Sequence, residues 1–408
     1  PAMTSLGGAR RVFATLELAR RSVSRAVSCG CGSMPNAAEL DQLDRVMRTL
    51  QDELGSRYCG YYIYPPRCVG QYLKVERMIG QGGFGSVFLG TPTGLGLKRI
   101  PRLEDGTAYA VKRTIFTGVI PQFDRSLTLL TKERLVEFFC LVDMSAEDWA
   151  ASHLCRHVAY IAEVNPLKRS AEYTIMELLT GPDLYEFLAA RKSTVPEPAA
   201  ADLMRQMLSA ISFMHHGAGV LHRDIKPENF GFEAPLPEDG RGNLPSLKLF
   251  DFGLSWVLDT PVPEKGQWPL LEMPPSGTPP YMAPECWSGQ CGAPNDVWSL
   301  GIIAYTMLSL ELPFGLIRAT NYKKTLRDTK LEFPDTPWAQ ISDSAKAFVQ
   351  QCLDKDAQQR PTAAQLLGSP WLSAPGSDLE VEIDKGCLMP AKTQGPTVLQ
   401  PSERPVSR

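Results

Sequence analysis

Two short segments carry side chains whose types and spacing are suited to chemistry. Residues 222–229 read HRDIKPEN, and residues 251–253 read DFG. Asp224 is a proton-accepting carboxylate and Lys226 is a cation two residues on, while Asn229 and Asp251 offer oxygen ligands for a divalent metal. Such a set is suited to moving a phosphoryl group from ATP to a hydroxyl.

A glycine-rich segment precedes these two. It reads GQGGFGSV and fits the pattern G-x-G-x-x-G-x-V. Glycines let backbone N–H groups approach phosphate oxygens without side-chain clash. Dinucleotide-binding folds use similar glycines, but there a helix follows, whereas residues 87–89 (VFL) predict a strand. We therefore expect a flap over phosphates, made of Gly80, Gln81, Gly82, Gly83, Phe84, Gly85, Ser86 and Val87.

Further motifs follow in a fixed order: residues 277–285 (GTPPYMAPE), residues 296–301 (DVWSLG) and Arg360. With them, the chain from Tyr72 to Leu372 resembles the eukaryotic protein kinase family, on its serine/threonine side. Residues 313–315 (PFG) and the segment from Leu353 to Leu372 resemble the calcium/calmodulin-dependent kinase group. We expect the kinase domain alone, without EF-hands, because Gln359 stands where a calcium loop needs glycine.

The resemblance assigns roles to the polar residues. Asp224 would accept the substrate hydroxyl proton, Lys226 would neutralise charge on the transferring phosphoryl group, and Asn229 and Asp251 would bind Mg²⁺. Lys112, at the end of Tyr109-Ala110-Val111-Lys112, would hold the α- and β-phosphates of ATP. Lys98 is an alternative for that position, but its flanking residues match the family less well.

The lysine should pair with a glutamate on a helix. A helical pattern over residues 126–160 carries Glu147, whose distance from Leu154 has the family's spacing. Glu133 and Glu137 are alternatives that lie closer to Lys112 in the sequence. We assign Glu147 and keep both alternatives open.

The resemblance also locates the nucleotide base. Ala110 would line the pocket, Met176 would be the gatekeeper, and Glu177 and Leu179 would offer hinge backbone contacts. Asp183 is assigned to the same site, and with Glu228 it would favour basic residues near the target hydroxyl. Where the family has a leucine two residues after the asparagine, this chain has Gly231, between Phe230 and Phe232. Either ATP binds more weakly, or a phenylalanine takes over.

The activation segment should end at residues 277–285. There, Thr278 would bond to Asp224 and Lys226, and Glu285 would pair with Arg360. Asp296 would anchor the backbone of the 222–229 loop. These features distinguish protein kinases from small-molecule kinases, which lack a substrate-binding platform like the one expected at residues 277–285.

The implied fold class is α+β: a two-lobed protein kinase fold with a small antiparallel-sheet N-lobe and a larger helical C-lobe. We place an N-terminal extension at residues 1–70, the kinase domain at 71–372, and a disordered tail at 373–408. The N-lobe would cover residues 71–178 and the C-lobe 179–372. Residues 91–106 are rich in Gly and Pro and predict an enlarged hairpin loop. Helical patterns cover residues 183–190, 197–217, 296–310, 342–352 and 362–367.

Composition narrows the remaining possibilities. The net charge of −3 gives no basic excess for nucleic acid, so we expect no nucleic-acid partner. The apolar run from Val297 to Ile317 contains Glu311 and Pro313, which favours a buried helix over a membrane span. The ten cysteines show no zinc-like spacing, and reduced thiols fit a cytoplasmic protein. Residues 1–28 are rich in arginine and serine, as in an organelle transit peptide, although a disordered basic tail explains them too.

From the sequence we expect a monomeric serine/threonine protein kinase that uses ATP and Mg²⁺ and acts on protein substrates. The alternative is a pseudokinase that serves as a scaffold or binding module. Gly231 and two insertions relative to the family, one between Asn229 and Asp251 and one between Asp251 and Glu285, favour that alternative. Lys112, Asp224, Asn229 and Asp251 oppose it.

Overall fold

The computed structural model describes residues 61–63, 69–82, 85–100, 102–116, 153–163, 170–237, 243–258, 262–263, 268–315 and 322–373. Glu147 with its rivals Glu133 and Glu137, Gly83, Phe84, the N-terminal basic segment and the C-terminal tail lie outside these residues.

Within the described ranges, one sheet contains six strands in the order β1-β5-β6-β4-β3-β2. These strands are β1 (Tyr61–Ile63), β2 (Leu73–Gly82), β3 (Gly85–Pro92), β4 (Tyr109–Phe116), β5 (His157–Glu163) and β6 (Ser170–Glu177). The strands from β2 to β6 pair antiparallel, which agrees with the predicted small sheet. The edge strand β1 differs, because it pairs with β5 in parallel and comes from the segment assigned to the extension.

Alternate side chains of β4 lie on opposite faces of the sheet, and the two faces have different surroundings. Tyr109 and Val111 are fully buried in the core of the sheet, together with Leu73, Val158 and Ile175. Since neighbouring residues of a strand point to opposite faces, Ala110 and Lys112 point to the other side. That other side is the cleft between the lobes, where both meet residues from beyond the sheet.

Two predictions about the small lobe are wrong. The strand β5 occupies residues 157–163, part of which was expected to be helical; its apolar residues Val158 and Ile161 pack into the sheet core. The predicted hairpin loop at 91–106 contains a short helix, α1 (Gly94–Arg99). The Thr93 hydroxyl accepts a hydrogen bond from the Gly96 N–H at 3.0 Å, so this helix begins with an ordinary N-cap.

The larger lobe is helical, as expected. Its helices are α2 (Leu184–Ala189), α3 (Glu197–Ser212), α4 (Ala293–Ser309), α5 (Tyr322–Asp328), α6 (Asp335–Trp338), α7 (Asp343–Cys352), α8 (Ala363–Leu367) and α9 (Pro370–Ser373). This lobe also contains short two-stranded sheets: β7 (Val220–Leu221) with β10 (Trp256–Val257), β8 (Phe230–Phe232) with β9 (Leu247–Leu249), and β11 (Leu271–Glu272) with β12 (Gln290–Cys291).

The helix α4 is the centre of this lobe. Nearly all of its residues are buried, which is how a helix that is apolar on all sides behaves inside a protein. The part of the apolar run from Val297 to Ser309 is therefore a core helix. Among the described residues, no helix has both the length and the apolar character required to cross a membrane.

Candidate active site

Lys112 sits deep in the cleft, with 6% of its surface exposed. Its Nζ atom forms an ion pair with Oδ1 of Asp251. Burial acts to raise the pKa of Asp251, but the charge and hydrogen bond of Lys112 outweigh it, so the pKa lies below its usual value. Asp251 therefore stays ionised at neutral pH and can act as an anionic oxygen ligand.

The residues Asp224, Lys226 and Thr278 form one hydrogen-bonded group. The Thr278 hydroxyl donates to Oδ1 of Asp224 at 2.7 Å, and Lys226 Nζ donates to the Thr278 hydroxyl at 2.9 Å. Lys226 Nζ also lies 3.0 Å from Oδ2 of Asp224. Both contacts expected of Thr278 are therefore present, and they join the activation segment to the 222–229 loop.

Asn229 is held by the same loop. Its side-chain Nδ2 donates to the backbone carbonyl of Asp224 at 2.7 Å. This bond uses the donor end of the amide, so the carbonyl oxygen of the side chain remains for another partner. Asn229 and Asp251 thus offer an amide oxygen and a carboxylate, which are the hard ligands that Mg²⁺ accepts beside phosphate oxygens. In the described part of the chain, no group of three His, Cys, Asp or Glu side chains forms a self-sufficient metal site.

Asp296 fixes the backbone of the loop from below. The N–H groups of His222 and Arg223 each donate to its carboxylate at 2.8 Å, and His215 Nε2 lies 2.9 Å away. Full burial raises the pKa of Asp296, but these hydrogen bonds and the two histidines outweigh burial and lower it. Arg223 has a φ of 70° and Asp251 a φ of 64°, and such strain is held only where surrounding contacts fix the backbone.

The ring of Phe252 is buried between two histidines. Its centroid lies 5.5 Å from the ring of His222 and 5.6 Å from that of His157. Burial lowers the pKa of His222, so the imidazole is neutral at pH 7. These edge-on and tilted ring contacts hold Phe252 inward, next to Asp251, whose carboxylate pairs with Lys112.

The end of the activation segment is tied into the large lobe. Arg360 forms two parallel hydrogen bonds to Glu285, at 2.5 Å and 2.9 Å, as the sequence predicts. Arg223 contacts the same segment, because its Nη2 donates to the Ser276 hydroxyl at 2.5 Å. The platform that would carry a substrate is therefore attached to both the loop and the helical core.

An apolar cluster lies beneath the sheet in the cleft. Ala110, Cys155 and Met176 are its buried members, and the half-buried Ile79, Val87, Leu178, Leu179 and Phe250 pack against them. Such a lining suits the flat, largely apolar faces of a nucleotide base. The expected members Val87, Ala110, Met176 and Leu179 are all present.

Two other predicted residues have structural partners. Glu177 accepts a hydrogen bond from the Arg156 N–H at 2.7 Å and forms an ion pair with Lys248 at 3.0 Å. Asp183 is the N-cap of α2, and its carboxylate accepts the Glu186 N–H at 2.8 Å. Glu177 stands between Met176 and Leu178 of the apolar cluster, and Asp183 follows Leu179 by four residues.

The glycine segment forms a hairpin, in which Gly80 faces Val87 and Gly82 faces Gly85. Gly85 has a φ of 149°, and a Cβ there would collide with the carbonyl of Arg113, so glycine is required. The sequence interpretation missed Phe250, Cys155 and Lys248. The position of Phe250 directly before Asp251 was a signal for the first of these.

Comparison with known proteins identifies the class. The family model described as the protein kinase domain matches residues 148–372. This is more than half of the chain, and the chain belongs to the protein kinase family.

Its relatives carry narrower names. It is 36% identical over 213 residues to calcium/calmodulin-dependent protein kinase type 1 of Macrobrachium nipponense, covering 52% of this chain and 57% of that protein. It is 37% identical over 202 residues to the type I enzyme of Schizosaccharomyces pombe, covering 49% and 56%. With calcium-dependent protein kinase 2 of Arabidopsis thaliana it shares 30% identity over 321 residues, covering 78% and 43%. The chain spans about half the length of these relatives.

Proposed function

We propose that the chain is a serine/threonine protein kinase that transfers the γ-phosphoryl group of ATP to a protein hydroxyl. The observation that carries this proposal is the group formed by Asp224, Lys226 and Thr278, whose polar atoms lie within 3.0 Å of one another. A carboxylate, a cation and a hydroxyl in contact suit the orientation of an incoming alcohol and the stabilisation of charge on a phosphoryl group.

Each residue has a defined task in this mechanism. Asp224 takes the proton from the substrate hydroxyl, or orients its oxygen, while Lys226 stabilises negative charge on the transferring group. Lys112 binds the α- and β-phosphates of ATP, and the 80–87 hairpin covers them with backbone N–H groups. Asn229 and Asp251 would hold Mg²⁺, which would supply positive charge against the negative charge of the phosphates. Glu147 stays a prediction as the partner of Lys112.

Protein substrates follow from the family, and a preference for basic residues near the target hydroxyl is part of the proposal. Glu228 supports it, because it is a half-buried acid in the same 222–229 loop as Asp224. The carboxylate of Asp183 is partly used as a helix cap, so Glu228 is the better candidate for binding a basic residue of the substrate.

We also propose a monomer in the cytoplasm. Four cysteines of the described ranges, Cys155, Cys286, Cys291 and Cys352, are free thiols, which fits a reducing compartment.

The decisive experiment compares the full chain with Asp224→Asn in a phosphate-transfer assay with Mg-ATP and a basic peptide mixture. Loss of a general base lowers the rate by about 10²–10⁴-fold, while ATP binding and thermal stability stay unchanged. The matched control is Asp343→Asn, because the Asp343 side chain is fully exposed at 103% and lies on α7. That variant should transfer phosphate like the parent.

Transfer that is unaffected by Asp224→Asn would refute this mechanism. If the parent chain binds ATP but transfers no phosphate to any peptide, the alternative of a scaffold without catalytic activity is the better one.

A further inference from the structure

The lower side of the apolar cluster lacks the side chain that the family's pattern places there. The upper side has Val87 and Ala110, from β3 and β4. The position on the opposite lobe is Gly231, in the middle of β8. A pocket for a flat base needs apolar surface on both faces, so some other side chain must close it from below.

The space above Gly231 is already filled. A Cβ atom added there would lie 2.8 Å from Cδ1 of Leu179 and 3.1 Å from Cε1 of Phe250. Both separations are tighter than ordinary carbon contacts of about 3.5–4.0 Å. A leucine at 231 and a phenylalanine at 250 cannot both be accommodated without displacement of one of them.

The neighbouring phenylalanines do not serve this purpose. Phe230 and Phe232 are 1% and 0% exposed and belong to the core of the helical lobe, where Phe232 contacts the ring of Phe187 at 5.4 Å. Because alternate residues of a strand face opposite sides, both point away from the side that Gly231 faces.

Phe250 is different in its placement. It follows β9 and directly precedes Asp251, and its N–H donates to the carbonyl of Asn229 at 2.9 Å. Its half-buried ring packs against the cluster of Ala110, Cys155 and Met176. The backbone of Phe250 is thus held next to Asn229 and Asp251, the two residues assigned to Mg²⁺, and its ring is only partly buried.

We propose that Phe250 is the floor of the base pocket and a specificity-determining residue for the nucleotide, in place of a side chain at 231. This rests on the proposed function, because it assumes that the cleft binds ATP. The two positions are complementary in size: a glycine on the strand faces the aromatic ring that precedes Asp251. An aromatic floor offers adenine a π-face on which the base can stack.

This complementarity in size predicts that substitutions at the two positions compensate for each other. Phe250→Ala removes the floor and should weaken adenosine binding by about 10- to 100-fold, the range for losing one base–aromatic contact. Gly231→Leu alone places a branched side chain against Phe250 and Leu179 and should also weaken binding. The double variant Gly231→Leu/Phe250→Ala should bind adenosine more tightly than either single variant.

The measurement is calorimetric titration of the full chain with adenosine, which needs neither metal nor phosphate transfer. Thermal unfolding of each variant shows whether it is folded. The matched control is Tyr185→Ala, because Tyr185 is an aromatic residue of α2 with 53% exposure, outside the cluster. Its adenosine affinity should equal that of the parent chain.

Two results would refute the proposal that Phe250 forms the floor of the base pocket. One is a folded Phe250→Ala variant that binds adenosine like the parent, and the other is a double variant no better than its single components. If Phe250→Ala does not fold, Gly231→Ala and Gly231→Ala/Phe250→Leu replace the pair. The alanine should weaken binding by pressing on the ring, and the smaller leucine should relieve it; no relief overturns the proposal.

The outcome is separable from that of the kinase assay. If the double variant rescues adenosine binding but the chain transfers no phosphate, the proposed role of Phe250 stands and the proposed kinase activity is refuted. If the chain transfers phosphate but adenosine binding does not change in the Phe250 variants, the kinase activity stands and the role of Phe250 is refuted.

Discussion

The imidazole of His222 lies in full burial, against Phe252 and next to the backbone of Asp224. Its depressed pKa has a consequence for stability. In the unfolded chain this group takes up a proton near pH 6.5, whereas in the folded protein it stays neutral to lower pH. Its contribution is therefore fully present above pH 6.5 and is lost as the pH falls toward the lowered pKa.

The variant His222→Phe keeps an aromatic ring and removes the titration. Between about pH 6.5 and 5.5, the free energy of unfolding of the parent should fall by about 1 kcal/mol more than that of the variant. Urea unfolding at a series of pH values measures the difference. Parallel curves for the two proteins would show that His222 takes up its proton equally well in the folded state.

At the scale of elements, the pair of Glu285 and Arg360 joins the end of the activation segment to the region before α8. Arg360 is 2% exposed and also donates to the backbone carbonyls of Asp354 and Pro294. Glu285 accepts a further bond from Asn295 at 2.6 Å. The pair therefore connects three segments of the helical lobe: the end of the activation segment, the start of α4, and the loop between α7 and α8.

Arg360→Gln should lower the free energy of unfolding by about 3–5 kcal/mol, because it leaves a buried carboxylate without its counter-charge. The control is Arg327→Gln, whose ion pair with Asp328 is exposed at 73% and should matter by less than about 1 kcal/mol. Chemical denaturation gives both values.

The double variant Glu285→Gln/Arg360→Gln tests the cause. If the unpaired charge is responsible, neutralising Glu285 recovers part of the stability. A double variant less stable than Arg360→Gln would instead assign the cost to lost packing and backbone bonds.

Local motifs made much of the site predictable. The 222–229 loop, Thr278, Glu285 and Arg360 could be matched because their types and spacings are fixed over short stretches, and the expected contacts of Thr278 and Arg360 exist. The α4 helix was equally clear, since a long apolar run leaves few other solutions.

Other features depend on distant residues and escaped the sequence interpretation. The strand β5 carries alternating apolar residues, but its first residues, 157–160, also fit the helical pattern predicted for residues 126–160. The filling of the space at Gly231 depends on Phe250 and Leu179, which are brought there by the β8–β9 pairing and by the segment after β6. Non-local packing of this kind is invisible to periodicity.

At the scale of the whole molecule, Lys248 links the two lobes. Its Nζ lies between Glu177, at the end of β6, and Glu233, just after β8, at 3.0 and 3.2 Å. Burial alone would lower the pKa of Lys248, but the two carboxylates outweigh it and raise the pKa, so the cation persists. The crossing between the lobes is thus held by these ion pairs.

The short parallel strand β1 has a consequence for solution behaviour. It covers the outer edge of β5 by pairing Tyr61, Tyr62 and Ile63 with Tyr160, Ile161 and Ala162. An uncovered edge strand presents unpaired backbone groups that recruit strands from other chains. Because β1 has only three residues, it leaves a shorter exposed edge than the seven-residue β5 would, and we expect it to limit self-assembly.

Tyr62→Pro should disrupt β1 and expose the edge of β5, because proline has no backbone N–H and its fixed φ fits a strand poorly. We expect light scattering to rise with protein concentration for Tyr62→Pro, while Tyr62→Val, which favours a strand, stays monodisperse. Equal scattering from the two variants would mean that β5 needs no cover, and that its neighbours alone keep the molecules apart.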